Sequence, residues 1–175
     1  MNRHQFDHAV RAAGAVAGVN EVIVIGSQAA HASLSDGLPE AAMRSVEADI
    51  VVRGDREGEM ADLIDGSIGE ASMFHQTFGF YAQGVSIETA LLPDGWEERL
   101  VRYETPATNG VVAWCLSLPD LFVSKALAGR PKDFEFCRAL LELGAIETDY
   151  VLSLIEATDT EPGKKHLAQG ILRSN

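Results

Sequence analysis

Apolar and polar positions along the chain fall into short blocks whose period changes from helical to extended and back. Phe6, Val10, Ala13 and Ala17 recur at helical spacing over Asn2–Ala17, and Gly18 and Asn20 end that run. Val22-Ile23-Val24-Ile25 is a β-branched block of the kind that fills a buried strand. It breaks at Gly26-Ser27, and the small residues that follow predict a helix starting over Ser27–Ala32. Leu34–Arg44, with Gly37 and Pro39, reads as a loop closing in a helical turn. Ala48–Val52 is a second strand, Arg53–Arg56 a turn, and Glu57–Ile68 an amphipathic helix with Met60, Leu63, Ile64 and Ile68 inward. Gly69–Thr77 shows no period. Gly79–Ala82 and Val85–Leu91 suggest a hairpin around Gln83-Gly84.

Further on, Leu92–Trp96 reads as a tight turn, with Trp96 anchoring a short helix and Arg99 able to reach an acid or a phosphate. Leu100–Glu104 and Val111–Cys115 are short strands. Leu118–Ala128, Phe134–Leu143, Thr148–Ala157 and Pro162–Leu172 carry helical patterns. This order predicts an α+β fold: a small mixed sheet covered by helices, with a core over residues 1–115 and C-terminal helices over 116–175 packed on it as one compact domain.

Composition narrows the class. The 175 residues are 46% hydrophobic, enough for one domain with a core. No apolar run is long enough to span a membrane, and Met1–Gln5 lacks the apolar stretch of a secretory signal. Cys115 and Cys137 stand in apolar surroundings without metal-like spacing and read as reduced thiols of a cytoplasmic protein. The formal net charge of −12 disfavours an extended nucleic-acid groove. The imbalance is uneven: residues 1–100 hold 6 basic and 16 acidic residues, and the remainder 8 and 10. A polyanionic ligand is therefore expected against the C-terminal part.

The candidate chemistry sits in Ser45-Val46-Glu47-Ala48-Asp49-Ile50. In a strand, residues i and i+2 share a face, so Glu47 and Asp49 should stand side by side. Two such carboxylates repel each other and resist desolvation, and a hard divalent cation such as Mg²⁺ or Mn²⁺ between them relieves both costs. Ser27 either caps its own helix or offers its hydroxyl to a phosphate. His4 and His8, at i and i+4, have the spacing to share a metal but read as solvent-facing histidines of the first helix, and His31, which could instead face the site, reads as a surface residue.

The Gly26-Ser27 turn after a strand, followed by acid-x-acid on the next strand, resembles the nucleotidyltransferase superfamily, whose relatives include bacterial minimal nucleotidyltransferases and abortive-infection-type toxins of toxin–antitoxin systems. Ile25–Ala29, Ser45–Ile50, Leu92–Leu100 and Asp120–Lys125 are together similar to a family of small bacterial nucleotidyltransferase-like proteins. The resemblance implies Glu47 and Asp49 as metal ligands and Gly26 and Ser27 at the phosphates of an NTP. It also implies Glu88 as third carboxylate and catalytic base. Lys125 is either a phosphate ligand or an ordinary exposed lysine. Lys132 and Asp133, in the string Arg130-Pro131-Lys132-Asp133, lie either beside the nucleotide or in a charged turn between helices. The implied reaction moves a nucleoside monophosphate from an NTP to a hydroxyl of a protein, RNA or small molecule, alone, as a homo-oligomer or with a partner protein. The alternatives are a non-catalytic nucleotide- or protein-binding member of the superfamily, and a structural domain whose acid pair is bridged to Arg53 or Arg99. Two departures from the superfamily pattern stand out: Glu47 where Asp is usual, and a long interval between Ser27 and Glu47.

Overall fold

The computed structural model describes residues 1–34 and 37–173. The elements run α1 (Arg3–Ala17), β1 (Glu21–Val24), a 3₁₀ turn (Ser27–Ala32), α2 (Glu40–Met43), β2 (Glu47–Val51), α3 (Glu59–Ile68), α4 (Met73–Phe78) and β3 (Tyr81–Gly84). They continue with 3₁₀ turns at Ile87–Thr89 and Trp96–Arg99, then β4 (Val101–Tyr103), a 3₁₀ turn at Pro106–Thr108, β5 (Val112–Cys115), α5 (Leu118–Ala128), α6 (Pro131–Glu142), α7 (Thr148–Ala157) and α8 (Pro162–Arg173). The strands form one mixed sheet in the order β3-β2-β1-β5-β4. The pairs β1–β2 and β4–β5 are antiparallel, while β1–β5 and β2–β3 are parallel. The fold is α+β, a small mixed sheet with helices against it. Ser35 and Asp36, within the expected Leu34–Arg44 loop, and Ser174 and Asn175 lie outside the described residues.

The two faces of the sheet have different partners. Ala48 and Ile50 are fully buried, whereas Glu47 and Asp49, alternating with them, are only half-buried. Ile50 pairs with Gly84, and a Cβ on Gly84 would overlap the backbone of Ala61 in α3. Hence α3 covers the Ile50 face, and only glycine permits so close an approach there. Glu47, Asp49, Tyr81 and Gln83 therefore belong to the opposite face. The C-terminal helices gather on α5, whose Leu121, Phe122, Val123 and Ala126 are fully buried, with α6, α7 and α8 packed against it. Arg99 grips the fully buried Asp120 through Nε (3.0 Å) and Nη2 (2.7 Å), fastening the Trp96–Arg99 turn to α5. Such a two-pronged contact satisfies a carboxylate that burial would otherwise penalise.

Several segments differ from expectation. Residues 79–91 form no hairpin: β3 joins β2 in parallel after the crossover through α3 and α4, and the chain past Val85 turns off the sheet. Val85 and Ile87 still pack against the core, so their alternation reported burial and not pairing. The supposedly irregular Gly69–Thr77 contains most of α4, started by Ser72, whose hydroxyl accepts the His75 N–H at 3.1 Å. Helix α6 begins at Pro131, ahead of Phe134, because proline suits a first helical turn. His8 lies against the rings of Phe74, Phe78 and Phe80, out of full solvent contact. His31 is buried and stacks on Phe6 with ring centroids 4.8 Å apart. A surface position is excluded because the small Ala29 and Ala30 beside it let the turn sink into the core.

Burial pushes the His31 pKa down to about 4. The unfolded chain then binds a proton below about pH 6.5 that the folded chain refuses until about pH 4. Stability from this residue is complete above the unfolded value and is lost as pH falls towards the folded one. Urea titrations from neutral pH down to about pH 4 should show roughly 2–3 kcal/mol of loss from this group. His31→Gln should flatten that slope.

Candidate active site

Strand β2 brings Glu47 and Asp49 to one face by its period of two, next to the turn that follows β1. The Ile25 N–H donates to the Asp49 carbonyl at 3.2 Å. A Cβ on Gly26 would overlap the Asp49 carboxylate, so Asp49 lies directly over the Gly26 backbone. The half-buried Ser27 follows at once. Its hydroxyl does not cap the turn, whose N-cap is Gly26 without a side-chain bond. The turn is 3₁₀ and six residues long, in place of the α-helix expected there. The phosphate-holding dipole of a regular helix end is correspondingly smaller.

Glu47 and Asp49 line two adjoining cavities. One, of about 120 Å³, is bounded by Ser27, Ser45, Lys125, Arg130, Lys132 and Asp133. The other, of about 510 Å³, is reached by Gly26, Gln83, Glu88, Lys125, Arg130 and Lys164. Burial, and then the charge of Asp49, raises the Glu47 pKa, while Lys132 and Lys125 oppose the shift without cancelling it. Tyr81, beside Glu47 in the β2–β3 register, is pushed up to about 12 by burial and by the same carboxylates. The field on this face is thus negative at the strands and positive at the helices.

The positive side is held by Asp133. Its carboxylate is almost fully buried and accepts from Arg130 Nε at 2.5 Å and Lys125 Nζ at 3.2 Å. Burial alone would raise its pKa, but Arg130 and Lys125 hold it below the ordinary aspartate value. Lys132 is exposed on the first turn of α6 and reaches the small cavity.

Glu88 is on the exposed Ile87–Thr89 turn, at the rim of the larger cavity, and not on a strand. The residue in register with Asp49 on β3 is Gln83. Among the described residues no group of three or more His, Cys, Asp or Glu is placed to hold a metal ion. Two carboxylates still fit Mg²⁺ or Mn²⁺, which commonly use one or two protein carboxylates and take the rest from water and substrate phosphates. Neither acid is bridged to the arginines that a structural role would require: Arg53 pairs with Glu97 at 2.6 Å and Arg99 with Asp120. Arg130 and Lys164 at the cavity, and Gln83 opposite Asp49, were not singled out as site residues from the sequence. Arg130 stood in the charged string before α6, and its spacing of three from Asp133 was the available signal.

A mixed sheet presenting acid-x-acid beside a Gly-Ser turn, with cations facing it from helices, agrees with the nucleotidyltransferase resemblance of the sequence motifs. The family model described as "Nucleotidyltransferase of unknown function (DUF6036)" matches residues 5–166, and the chain belongs to that family. No curated protein and no solved structure matches it. No described helix is long and apolar enough to cross a membrane.

The raised Glu47 pKa means that ionising this group costs the folded state something that the unfolded state is spared. As pH rises through the window above the ordinary value of 4.5, the metal-free protein therefore loses stability. Glu47→Gln should therefore be more stable than wild type at neutral pH, by up to about 1 kcal/mol at this half-exposed position. The difference should vanish in acid. Chemical denaturation in chelator at several pH values measures it.

Proposed function

We propose that the protein is a divalent-metal-dependent nucleotidyltransferase that moves a nucleoside monophosphate from an NTP to a hydroxyl acceptor. The observation that carries this reading is the acid couple Glu47/Asp49, without an ion pair among the described residues, facing the cations Lys125, Arg130, Lys132 and Lys164 across shared cavities. Glu47 and Asp49 hold Mg²⁺ or Mn²⁺, which when bound supplies charge neutralisation at the phosphates.

The chain's own groups do the remaining work. Ser27 and the Gly26 backbone meet the β- and γ-phosphates, and the four cations spread over the triphosphate. Asp133 is a positioning residue, keeping Lys125 and Arg130 turned to the cavity. Glu88 accepts the proton of the acceptor hydroxyl. The acceptor oxygen forms a bond to the α-phosphorus as the α–β bridging P–O bond breaks, and pyrophosphate departs with the electron pair. Rate enhancement comes mainly from positioning and fixed charge. A toxin–antitoxin setting for this activity is suggested by the motif resemblance.

One observation favours a second reading, a non-catalytic member that binds nucleotide or a protein partner. Gln83 stands where β3 would offer a third carboxylate opposite Asp49.

Incubation of the pure protein with each labelled NTP, Mg²⁺ or Mn²⁺ and a cell extract decides between them. Transfer of label with pyrophosphate release, dependent on the divalent ion, is the expected result. Nucleotide binding without transfer supports the second reading. Asp49→Asn should cut transfer by about 10²–10³-fold or more while leaving metal-free thermal stability unchanged or slightly raised. A variant that melts well below wild type, with no nucleotide response in either protein, overturns the enzyme assignment. Glu88→Gln should lower kcat by about 10²–10⁴-fold with little change in NTP affinity.

A further inference from the structure

The sheet face that carries the acids continues beyond them. Val51 follows Glu47 and Asp49 at the next alternate position of β2 and is paired with Ile23 of β1. These two residues and Val85 form the apolar floor of another cavity, of about 450 Å³, walled by Trp96 and the turn from Arg53 to Gly58. Val85 and Glu88 line both this cavity and the acid-lined one of about 510 Å³. One short segment therefore separates the two, with the exposed Glu88 carboxylate on the boundary.

Their charge balances differ: in the acid-lined cavity the carboxylates of Glu47, Asp49 and Glu88 are matched one for one by cations. Lys125, Arg130 and Lys164 enter the acid-lined cavity from the helices. In the neighbouring cavity Arg53 is already neutralised by Glu97, and Asp55 accepts the Ala61 N–H at 2.8 Å. Two arginines against four carboxylates leave its lining at a formal net charge of −2. Phosphates are repelled from such a lining and cations are drawn to it. Trp96 gives this lining an aromatic side chain, a group that favours contact with a ring and with a cation. The volume lies in the range of small-molecule sites.

We propose that this cavity is the acceptor pocket and takes a small, ring-shaped, hydroxylated molecule bearing a cationic amine. It rests on the nucleotidyl-transfer reading above. The amine lies towards Glu57 and the ring on Trp96, and a hydroxyl reaches Glu88 at the boundary. There its proton passes to Glu88 as its oxygen attacks the α-phosphorus of a nucleotide in the neighbouring cavity and pyrophosphate leaves. A nucleic-acid end is disfavoured as acceptor, because its own phosphates would face the acidic lining.

Glucosamine, glucose and glucose 6-phosphate test this, since they share a ring and differ in charge. Each is titrated, without nucleotide and just below neutral pH, into ¹⁵N-labelled protein while the two indole N–H resonances are followed. Trp96→Phe assigns them, and Trp114, which lines neither cavity, is the internal control. Glucosamine should shift the Trp96 signal alone and bind at least about tenfold more tightly than glucose 6-phosphate, a difference of about 1.4 kcal/mol. Glu57→Lys, at an exposed position, should shrink that preference at least about threefold. Equal or inverted preference, no response of Trp96 to any of the three sugars, or an unchanged ratio in Glu57→Lys overturns the proposal. Calorimetry with Mg²⁺ and each of the four NTPs on the same samples separates the two layers. Failure of every NTP to bind overturns the transfer reading and with it the acceptor role, whereas a missing sugar preference beside intact binding of any NTP overturns this proposal alone.

Discussion

The contact between the Asp49 carboxylate and the Gly26 backbone is the constraint on which the site depends. No other residue could stand at position 26 without moving Asp49, since even one methyl group would overlap its carboxylate. The Ile25 N–H bond to the Asp49 carbonyl joins β1 and β2 at the same point. Ser27 is thereby delivered next to the acids whatever the loop up to β2 does. That explains how so long an interval between Ser27 and Glu47 is tolerated. Gln28 helps from below: it is fully buried and donates from Nε2 to the Ala42 carbonyl at 2.9 Å, tying the return of the loop to the turn.

Holding two carboxylates together without a bound cation costs folding energy, and the raised Glu47 pKa is the local sign of it. The fold offsets part of that cost from a distance in sequence. Lys125 on α5 and Lys132 on α6 act on Glu47, and the buried Asp133 keeps Lys125 and Arg130 in place. Helix α5 is fixed in turn by Arg99 on Asp120. The acids come from the sheet and the cations from the helices after β5, so neither part alone makes the site. In the proposed reading a stabilising apolar residue in place of either acid would improve the fold at the expense of the chemistry, a trade common at functional positions.

The acid pair was legible in the sequence because strand period and β-branched neighbours force i and i+2 onto one face. The mixed character of the sheet was legible from element order. Strand pairing over 79–91 was not, because alternation shows that a segment has a buried face without showing which strand lies beside it. A parallel partner 34 residues upstream, Glu47 against Tyr81, leaves no local mark. For the same reason Glu88 was expected on a strand and Gln83 was passed over, though Gln83 is the residue in register with Asp49. The burial of His31 and the aromatic setting of His8 depend on Phe6, Phe74, Phe78 and Phe80, contacts that no short window contains. The sequence leaves Asp133 either beside the nucleotide or in a charged turn, and its partners, Lys125 eight residues before it and Arg130 three, become visible only when α5 and α6 pack.

Net charge is the quantity most open to misreading here. A net charge of −12 disfavours non-specific attraction to a nucleic-acid backbone, yet any bound anion meets mainly the charges within a few ångströms, since screening removes the rest within about 10 Å at moderate salt. Locally the cavity at Lys125, Arg130 and Lys164 is cationic on one wall and anionic on the other. In the proposed reading that asymmetry orients a nucleotide without any base-specific contact, triphosphate towards the helices and the acids between them and the acceptor. In the same reading Glu47 and Asp49 would hold the divalent ion and the nucleotide phosphates would supply further oxygen ligands. Ion and nucleotide would then be linked ligands, each raising the other's affinity by the same factor, as thermodynamic reciprocity requires. Gln83, the neutral residue in register with Asp49, would leave retention of the ion to that linkage.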